Sequence, residues 1–321
     1  MKKILVTLTK KEAEIVPKAI ADFCSVNNDY EVVALFNDTE IGEAELCERI
    51  NDVDAFIFGM EHVTEAVLEA AKNLKILCKF GVGLDKIDLQ AAFRRQVAVT
   101  NCPGMNSNSV AELAFGLMIG LARQIPQSDA DMRRHIWNAL PGKEIAHKTL
   151  GIVGMGSIGK RLAKYARAFE MKVLAYDLFR SEAAAQEMSF EYVELSTVIK
   201  EADFLSLHIP GDASTQNLID WEQLTAMKPT AYLINTARGR VVNEDALYQA
   251  LETGVIAGAA IDSFAAEPPF ASKLLTSNKL IALPHTGAST DEANDRVIRY
   301  SLQNAKSFLE GKAPLNQIKL H

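Results

Sequence analysis

The sequence predicts an α/β protein built on two parallel sheets, and three observations carry that expectation. Short apolar runs alternate with helix-patterned segments almost from end to end. The alternation begins afresh at Lys148, after a long helical stretch. The length, 321 residues, corresponds to about two domains at ~150 residues each.

In the first hundred residues the strand candidates are KKILVTLT, YEVVALF, DAFIFGM, LKILCKFG and VAVTN. Helical stretches such as EAELCERI and VTEAVLEAAKNL separate them, as a parallel sheet covered on both faces requires. A long helix is expected after the NCPGMNSN turn, through VAELAFGLMIGLARQI, with Pro126 ending or kinking it and a further helical segment running toward Trp137. From Lys148 six more strands follow: TLGIVGMG, KVLAYD, DFLSLHIP, AYLINTAR, AGAAIDSF and LIALPH. TDEANDRVIRYSLQNAKSFLEG closes the chain as one helix before a Gly-Lys-Ala-Pro stop signal.

Composition narrows the function classes. The chain is 48% hydrophobic and 23% charged, with 41 acids against 34 bases and a net charge of −7. No block of Lys or Arg appears, which argues against nucleic acid or an anionic membrane as a partner. The longest apolar stretch, Ala111 to Ala122, contains Glu112 and falls short of the ~18 residues a membrane helix needs. Strand-like residues begin at Ile4, leaving no room for a signal peptide, so a cytoplasmic protein is expected. Cys24, Cys47, Cys78 and Cys102 fit no zinc or redox spacing and read as reduced thiols of the core; no metal is expected.

Gly154, Gly156 and Gly159 form GMGSIG between the apolar run Leu150 to Val153 and the helical KRLAKYARAF. In that setting the first two glycines allow a tight turn and the approach of a pyrophosphate, and the third lets helix and strand pack. The amides of Ser157 and Ile158 would open the helix with its positive end toward phosphate. Asp177 ends the next strand 18 residues after Gly159, where a carboxylate accepts both ribose hydroxyls. It would repel a 2′-phosphate, favouring NAD over NADP, with nearby Arg180 blunting the preference. Six strands alternating with helices are the complement of a Rossmann sheet.

Three later strand ends carry Arg238, Glu267 and His285, spaced 29 and 18 residues apart. Carboxyl ends of parallel strands rim the ligand crevice, so the three can converge. Oxidising a 2-hydroxy acid removes a hydride from C2 and a proton from its hydroxyl. An imidazole can take that proton, a carboxylate can fix its tautomer, and a guanidinium can grip the substrate carboxylate. Taken singly, each of the three also reads as a turn, loop or strand-end residue of no catalytic consequence.

With these residues in view, the sequence resembles the D-isomer-specific 2-hydroxy acid dehydrogenases, nearest their phosphoglycerate dehydrogenase branch. The resemblance covers nearly the whole chain: KFGVGLDKID from Lys79, NSNSVAELAFGLM from Asn106, GIVGMGSIGKRLA from Gly151, LHIP from Leu207, MKPTAYLINTARGRVVNEDAL from Met227, AIDSFAAEPP from Ala260 and LPHTGAST from Leu283. It implies that His285 is the acid/base, Glu267 its carboxylate partner and Arg238 the substrate-binding arginine. It implies a carboxylate cradle at the amides of Val82 and Gly83, and a cofactor contact for Asp262 at the nicotinamide carboxamide. It further implies cofactor contacts at Thr236, Ala237, Arg238, His285, Gly287 and Ala288, with the carbonyls of Thr236 and Arg238 near that carboxamide, and a loop of His208, Ile209, Pro210 and Thr215 along the adenosine side.

The same resemblance implies the architecture: two doubly wound parallel-sheet domains, with a Rossmann NAD-binding domain inserted into a flavodoxin-like substrate domain. Residues 1–100, completed by the C-terminal helix 290–321, would form the substrate domain, and 101–289 the NAD domain. The reaction would sit in a cleft closed by a hinge. The helix from Asn108 resembles a homodimerisation arm, although burial of its apolar stripe within one chain is the competing reading. Lys79, and more remotely Arg123, could meet a substrate phosphate, which suits D-3-phosphoglycerate and serine biosynthesis; a solvated lysine is the bland alternative. Hydroxypyruvate or glyoxylate reduction is the nearest other activity, and an NAD-sensing corepressor the nearest non-enzymatic one. Because the chain stops at His321, a C-terminal serine-binding domain is not expected. His62, His135, His147 and His321 show no ligand spacing, and Trp137 reads as a core anchor or a substrate neighbour.

Overall fold

A computed structural model describes residues 1–319 of the chain; Leu320 and His321, and with them the end of the expected 290–321 segment, lie outside the described residues. The chain divides into two compact units, Met1–Asn106 together with the residues from Ser289 onward, and Ser107–Ala288.

The first unit holds a five-stranded parallel sheet. Strand β1 spans Lys2–Thr9, β2 Tyr30–Asn37, β3 Ala55–Phe58, β4 Ile76–Lys79 and β5 Ala98–Thr100, in the order β2-β1-β3-β4-β5. Helices α1 (Val16–Val26), α2 (Glu43–Arg49), α3 (Glu65–Ala70) and α4 (Leu89–Arg94) connect them. Both faces of the strands are apolar because both are covered. Leu5, Phe56, Leu77 and Val99 pack with Leu46 and Leu68 on one side. Ile4, Val6, Ile57 and Ile76 pack on the other with Ile298, Leu302 and Ala305 of the last helix of the chain, Asp291–Leu309. Two short helices start where a side chain caps them: Thr64 accepts the amide of Val67, and Asp88 that of Ala91.

The second unit opens with α5 (Ser107–Ala122) and α6 (Ile125–Arg133). The break falls at Gln124, whose φ of +52° no helix continues, and Pro126 lies in the first turn of α6. Pro126 thus opens the second helix rather than ending the first, as its missing amide permits. The apolar stripe of α5 is buried within this unit: Ala111, Ala114, Met118 and Leu121 join the core beneath the sheet. Trp137 is 89% exposed, so the core-anchor reading is wrong; Ile125, Met132 and Ile136 near it are exposed as well.

Seven parallel strands follow where the sequence predicts six. They are β6 (Thr149–Val153), β7 (Lys172–Tyr176), β8 (Glu191–Tyr192), β9 (Phe204–Leu207), β10 (Tyr232–Asn235), β11 (Gly258–Ile261) and β12 (Leu280–Ala282). Helices α7 (Ser157–Ala168), α8 (Glu182–Met188), α9 (Leu195–Glu201), α10 (Trp221–Ala226) and α11 (Glu244–Thr253) cover them, and the closing Asp291–Leu309 helix is α12. The strand order is β12-β11-β10-β9-β6-β7-β8. Its direction reverses between β6 and β9, which puts the turn after β6 at the position where doubly wound sheets bind ligands.

All four cysteines are free. Cys78 and Cys102 are buried, and burial pushes the Cys78 thiol up to about 12 and raises that of Cys102, leaving both inert as nucleophiles. Cys24 and Cys47 are half-buried. Among the described residues no helix is long and apolar enough to cross a membrane, and no group of three or more His, Cys, Asp or Glu is placed to hold a metal.

Candidate active site

The glycine turn after β6 is shaped by close backbone contacts. Gly154 has φ +99°, and a Cβ there would lie 2.5 Å from the carbonyl oxygen of His208 on the neighbouring strand's extension. At Gly159 a Cβ would lie 2.3 Å from the Gly154 oxygen, so only glycine lets α7 sit this close to β6. Gly156, the residue before α7, faces nothing within 4 Å. The amides that open α7 at Ser157 and Ile158 have no partner within the helix. At the end of β7, Asp177 accepts the amides of Met155 at 2.6 Å and Phe179 at 2.8 Å. Arg180 pairs with Glu194 at 2.8 Å and lies over the Tyr192 ring.

The ends of β9 and β10 carry two buried polar atoms without a protein partner, His208 Nδ1 and Thr236 Oγ1. His208 Nε2 is 2.9 Å from Ser206 Oγ, and burial lowers its pKa to about 4, so the ring is neutral near pH 7. Ile209 and Pro210 continue from it. Thr215 donates its hydroxyl to the Pro210 carbonyl at 2.7 Å, and thereby closes the loop. An open glycine cradle, unpaired helix amides, an acid at the next strand end and two orphaned polar atoms beside them fit a dinucleotide.

On the other side of the switch point, Glu267 and His285 meet. His285 Nδ1 stands 3.0 Å from each carboxylate oxygen of Glu267. An ionised carboxylate only accepts, so Nδ1 carries the proton and Nε2 is the nitrogen left to react. Burial works to raise the Glu267 pKa, but the hydrogen bond and charge of His285, with the Phe264 amide at 3.0 Å and the Ser263 hydroxyl at 3.2 Å, bring it below the ordinary carboxylate value. His285 occupies the left-handed region at φ +53°, unusual for a residue other than glycine. Buried Asp262 holds it there: its backbone oxygen accepts the His285 amide, and its carboxylate accepts the amides of Thr286 at 2.7 Å and Gly287 at 2.9 Å. Ala288 closes the unit immediately after.

Arg238 follows β10, where Asn235 braces the turn by donating to the Arg238 carbonyl and accepting from the Ala237 amide, each at 3.0 Å. Arg238 Nη1 donates to the Ala237 carbonyl at 2.7 Å. A Cβ on Gly239 would stand 1.9 Å from the Phe264 carbonyl carbon. The Arg238 turn and the segment leading to Glu267 are therefore in backbone contact, and only a glycine permits it. Sequence reading missed Asn235, Gly239 and Ser263; Gly239, directly after the arginine, is the one signal that was visible.

In the first unit, Lys79 ends β4 and donates to the carbonyls of Gly59 and Phe80, with its ammonium 5.7 Å from the Phe58 ring centre. Gly81, at φ +134°, starts the turn that holds Val82 and Gly83. Asn101 fixes that turn by donating to the Val82 carbonyl at 2.7 Å. Arg123 lies in the second unit, exposed, its side chain against Gly142. His62 and His147 are exposed beside Glu40 and Glu170, and His135 follows α6; His321 is outside the described residues.

Residues 115–287 match the family described as D-isomer specific 2-hydroxyacid dehydrogenase, NAD binding domain. The chain belongs to this family. The dehydrogenase is 43% identical over 259 residues to hydroxypyruvate reductase of Thermotoga maritima, covering 79% of this chain and 84% of that protein. It is 39% identical over 286 residues to D-3-phosphoglycerate dehydrogenase of Methanocaldococcus jannaschii, covering 88% of this chain but 55% of that one. The structure of D-lactate dehydrogenase with NAD+ from Lactobacillus jensenii superposes with a TM-score of 0.82 at 29% identity, over the full length of both chains. The dehydrogenase is thus an NAD-dependent oxidoreductase of D-2-hydroxy acids, with a Rossmann sheet in its second unit.

Proposed function

We propose that this dehydrogenase reduces a small 2-keto acid to the D-2-hydroxy acid, with His285 as proton donor, Glu267 as its partner and Arg238 as the group that grips the substrate. The observation that carries the reading is the double 3.0 Å contact of His285 Nδ1 with Glu267. It leaves Nε2 to give a proton to the carbonyl oxygen on reduction and to take it back on oxidation. Bound NAD supplies or accepts the hydride. The carboxylate holds the Nδ1 proton in place and so orients the ring with Nε2 free for the substrate. Arg238 would polarise the carbonyl as charge develops on oxygen. The amides of Val82 and Gly83 carry the carboxylate-binding role that the family resemblance implies.

For the substrate we favour hydroxypyruvate. Lys79, the basic residue expected to meet a phosphate, is bonded to the carbonyls of Gly59 and Phe80. The 43% identity to the hydroxypyruvate reductase, against 39% to the phosphoglycerate dehydrogenase, leans the same way. 3-Phosphohydroxypyruvate is the second reading, since Lys79 stands just before the glycine turn. NADH oxidation with hydroxypyruvate, glyoxylate, pyruvate and 3-phosphohydroxypyruvate, in wild type and His285→Ala, tests both. A higher kcat/KM for hydroxypyruvate, abolished in the variant, supports the first reading. A preference for the phosphorylated acid that Lys79→Ala removes replaces it with the second. We also propose that the enzyme is a homodimer, through the exposed apolar residues Ile125, Met132, Ile136 and Trp137; sedimentation of wild type and Trp137→Glu tests this.

A further inference from the structure

The segment that carries Glu267 has little to hold it in place. None of residues 265–273 is buried, and Phe270 is 85% exposed. Apolar packing anchors the segment only beyond its ends, at Phe264 and Leu274. Glu267 itself is gripped at its carboxylate by Ser263, Phe264 and His285, which orients the acid but does not fix the backbone beyond it.

One side chain reaches both ends of this segment. Glu244, the first residue of α11, accepts the Ala265 amide at 2.7 Å on one carboxylate oxygen and the Ser272 hydroxyl at 2.8 Å on the other. It follows the Arg238 turn by six residues, and Gly239 of that turn abuts Phe264 and Ala265. We propose that Glu244 is a positioning residue for the reaction: its carboxylate clamps the segment 265–272 and so sets the backbone from which Glu267 meets His285. This rests on the His285–Glu267 reading given above. Charge-assisted bonds of this length are strong and directional, and misplacing a reacting group by about 1 Å can cost ~100-fold in rate.

A carboxylate in the first turn of a helix also favours the helix, a purely structural role. Kinetics separate the two. Glu244→Ala, Glu244→Gln and Glu267→Gln would be compared with wild type for kcat, for KM of NADH and of the keto acid, and for the acid limb of the kcat–pH profile. Glutamine can still accept from Ala265 and donate to Ser272, so Glu244→Gln is expected to keep kcat within about threefold of wild type. Glu244→Ala is expected to lower kcat about 30-fold with the KM for NADH within about twofold. Its acid limb moves up, because a Glu267 no longer held on His285 titrates nearer the ordinary carboxylate value.

Wild-type kcat and an unmoved acid limb in Glu244→Ala, with kcat lost in Glu267→Gln, overturn the proposal and leave the catalytic pair standing. Undiminished kcat in Glu267→Gln overturns the pair, and this proposal with it. Should Glu244→Ala not yield folded protein, Ser272→Ala decides. A loss of about fivefold in kcat with the same upward limb supports the clamp, and wild-type behaviour rejects it.

Discussion

Asp177 accepts the amide of Met155 at 2.6 Å, so the acid that ends β7 is fastened to the middle of the glycine turn after β6. One carboxylate thereby serves the shape of the turn, and we propose that its remaining lone pairs accept the ribose hydroxyls of NAD. Asp177→Ala is expected to raise the KM for NADH about tenfold, since a good hydrogen bond to a charged group is worth roughly 1.5–3 kcal/mol. The ratio of kcat/KM for NADH over NADPH should fall in the same variant. Steady-state kinetics with both cofactors checks this, and an unchanged ratio would show that Asp177 acts only on the turn.

Glu267 has a depressed pKa in the folded chain, against burial, because His285 and two neighbouring donors favour its charged form. A depressed acid contributes stability that is present above its unfolded value, near 4.5, and is lost as pH falls through the lower folded value. Urea denaturation of wild type and Glu267→Gln from pH 3 to pH 7 should show the two curves converging toward the acid end. The same substitution should cost about 100-fold or more in kcat at pH 7. A gap between the curves that does not narrow with falling pH would contradict the pairing.

His208 behaves in the opposite chemical sense but with the same sign in pH. Burial takes its pKa from 6.5 to about 4, so the unfolded chain binds a proton there before the folded chain does. Stability is expected to fall as pH drops from 6.5 toward 4, and His208→Gln should flatten that part of the profile. Thermal unfolding at half-unit pH steps reads it directly.

Gly239→Ala places a methyl group 1.9 Å from the Phe264 carbonyl carbon, a distance the backbone must open to accommodate. We expect a loss of about 3 kcal/mol in unfolding free energy, at the upper end for overpacking, together with a raised KM for the keto acid as Arg238 moves. Calorimetry and keto-acid titration at saturating NADH measure the two effects. An alanine variant as stable as wild type would mean the two segments are not in contact.

Much of this was legible in the sequence because it is local. GMGSIG with its flanking strand and helix is a contiguous signal, and continuous apolar runs such as LGIV and AFIF mark strands covered on both faces. What was missed either leaves no local pattern or depends on distance along the chain. Strand β8 is two residues at the sheet edge, Glu191 exposed and Tyr192 half-buried, and shows no apolar run. Pro126 carries the same letter whether it stops a helix or starts one, and only the left-handed Gln124 decides. The apolar stripe of α5 fitted both a dimer arm and a core helix; its partners are residues of its own unit. Glu244 and Ala265 lie 21 positions apart, and nothing in either neighbourhood announces the other.

The first sheet is completed by a helix from the far end of the chain. Ile298, Leu302 and Ala305 of α12 cover the face formed by Ile4, Val6, Ile57 and Ile76. During synthesis the second unit, a single uninterrupted stretch, can therefore finish folding while the first still waits with one apolar face covered only in part, by Val16 and Ala19 of α1. The nascent chain is most exposed to aggregation and to chaperones over that interval, and the nineteen residues of α12 end it.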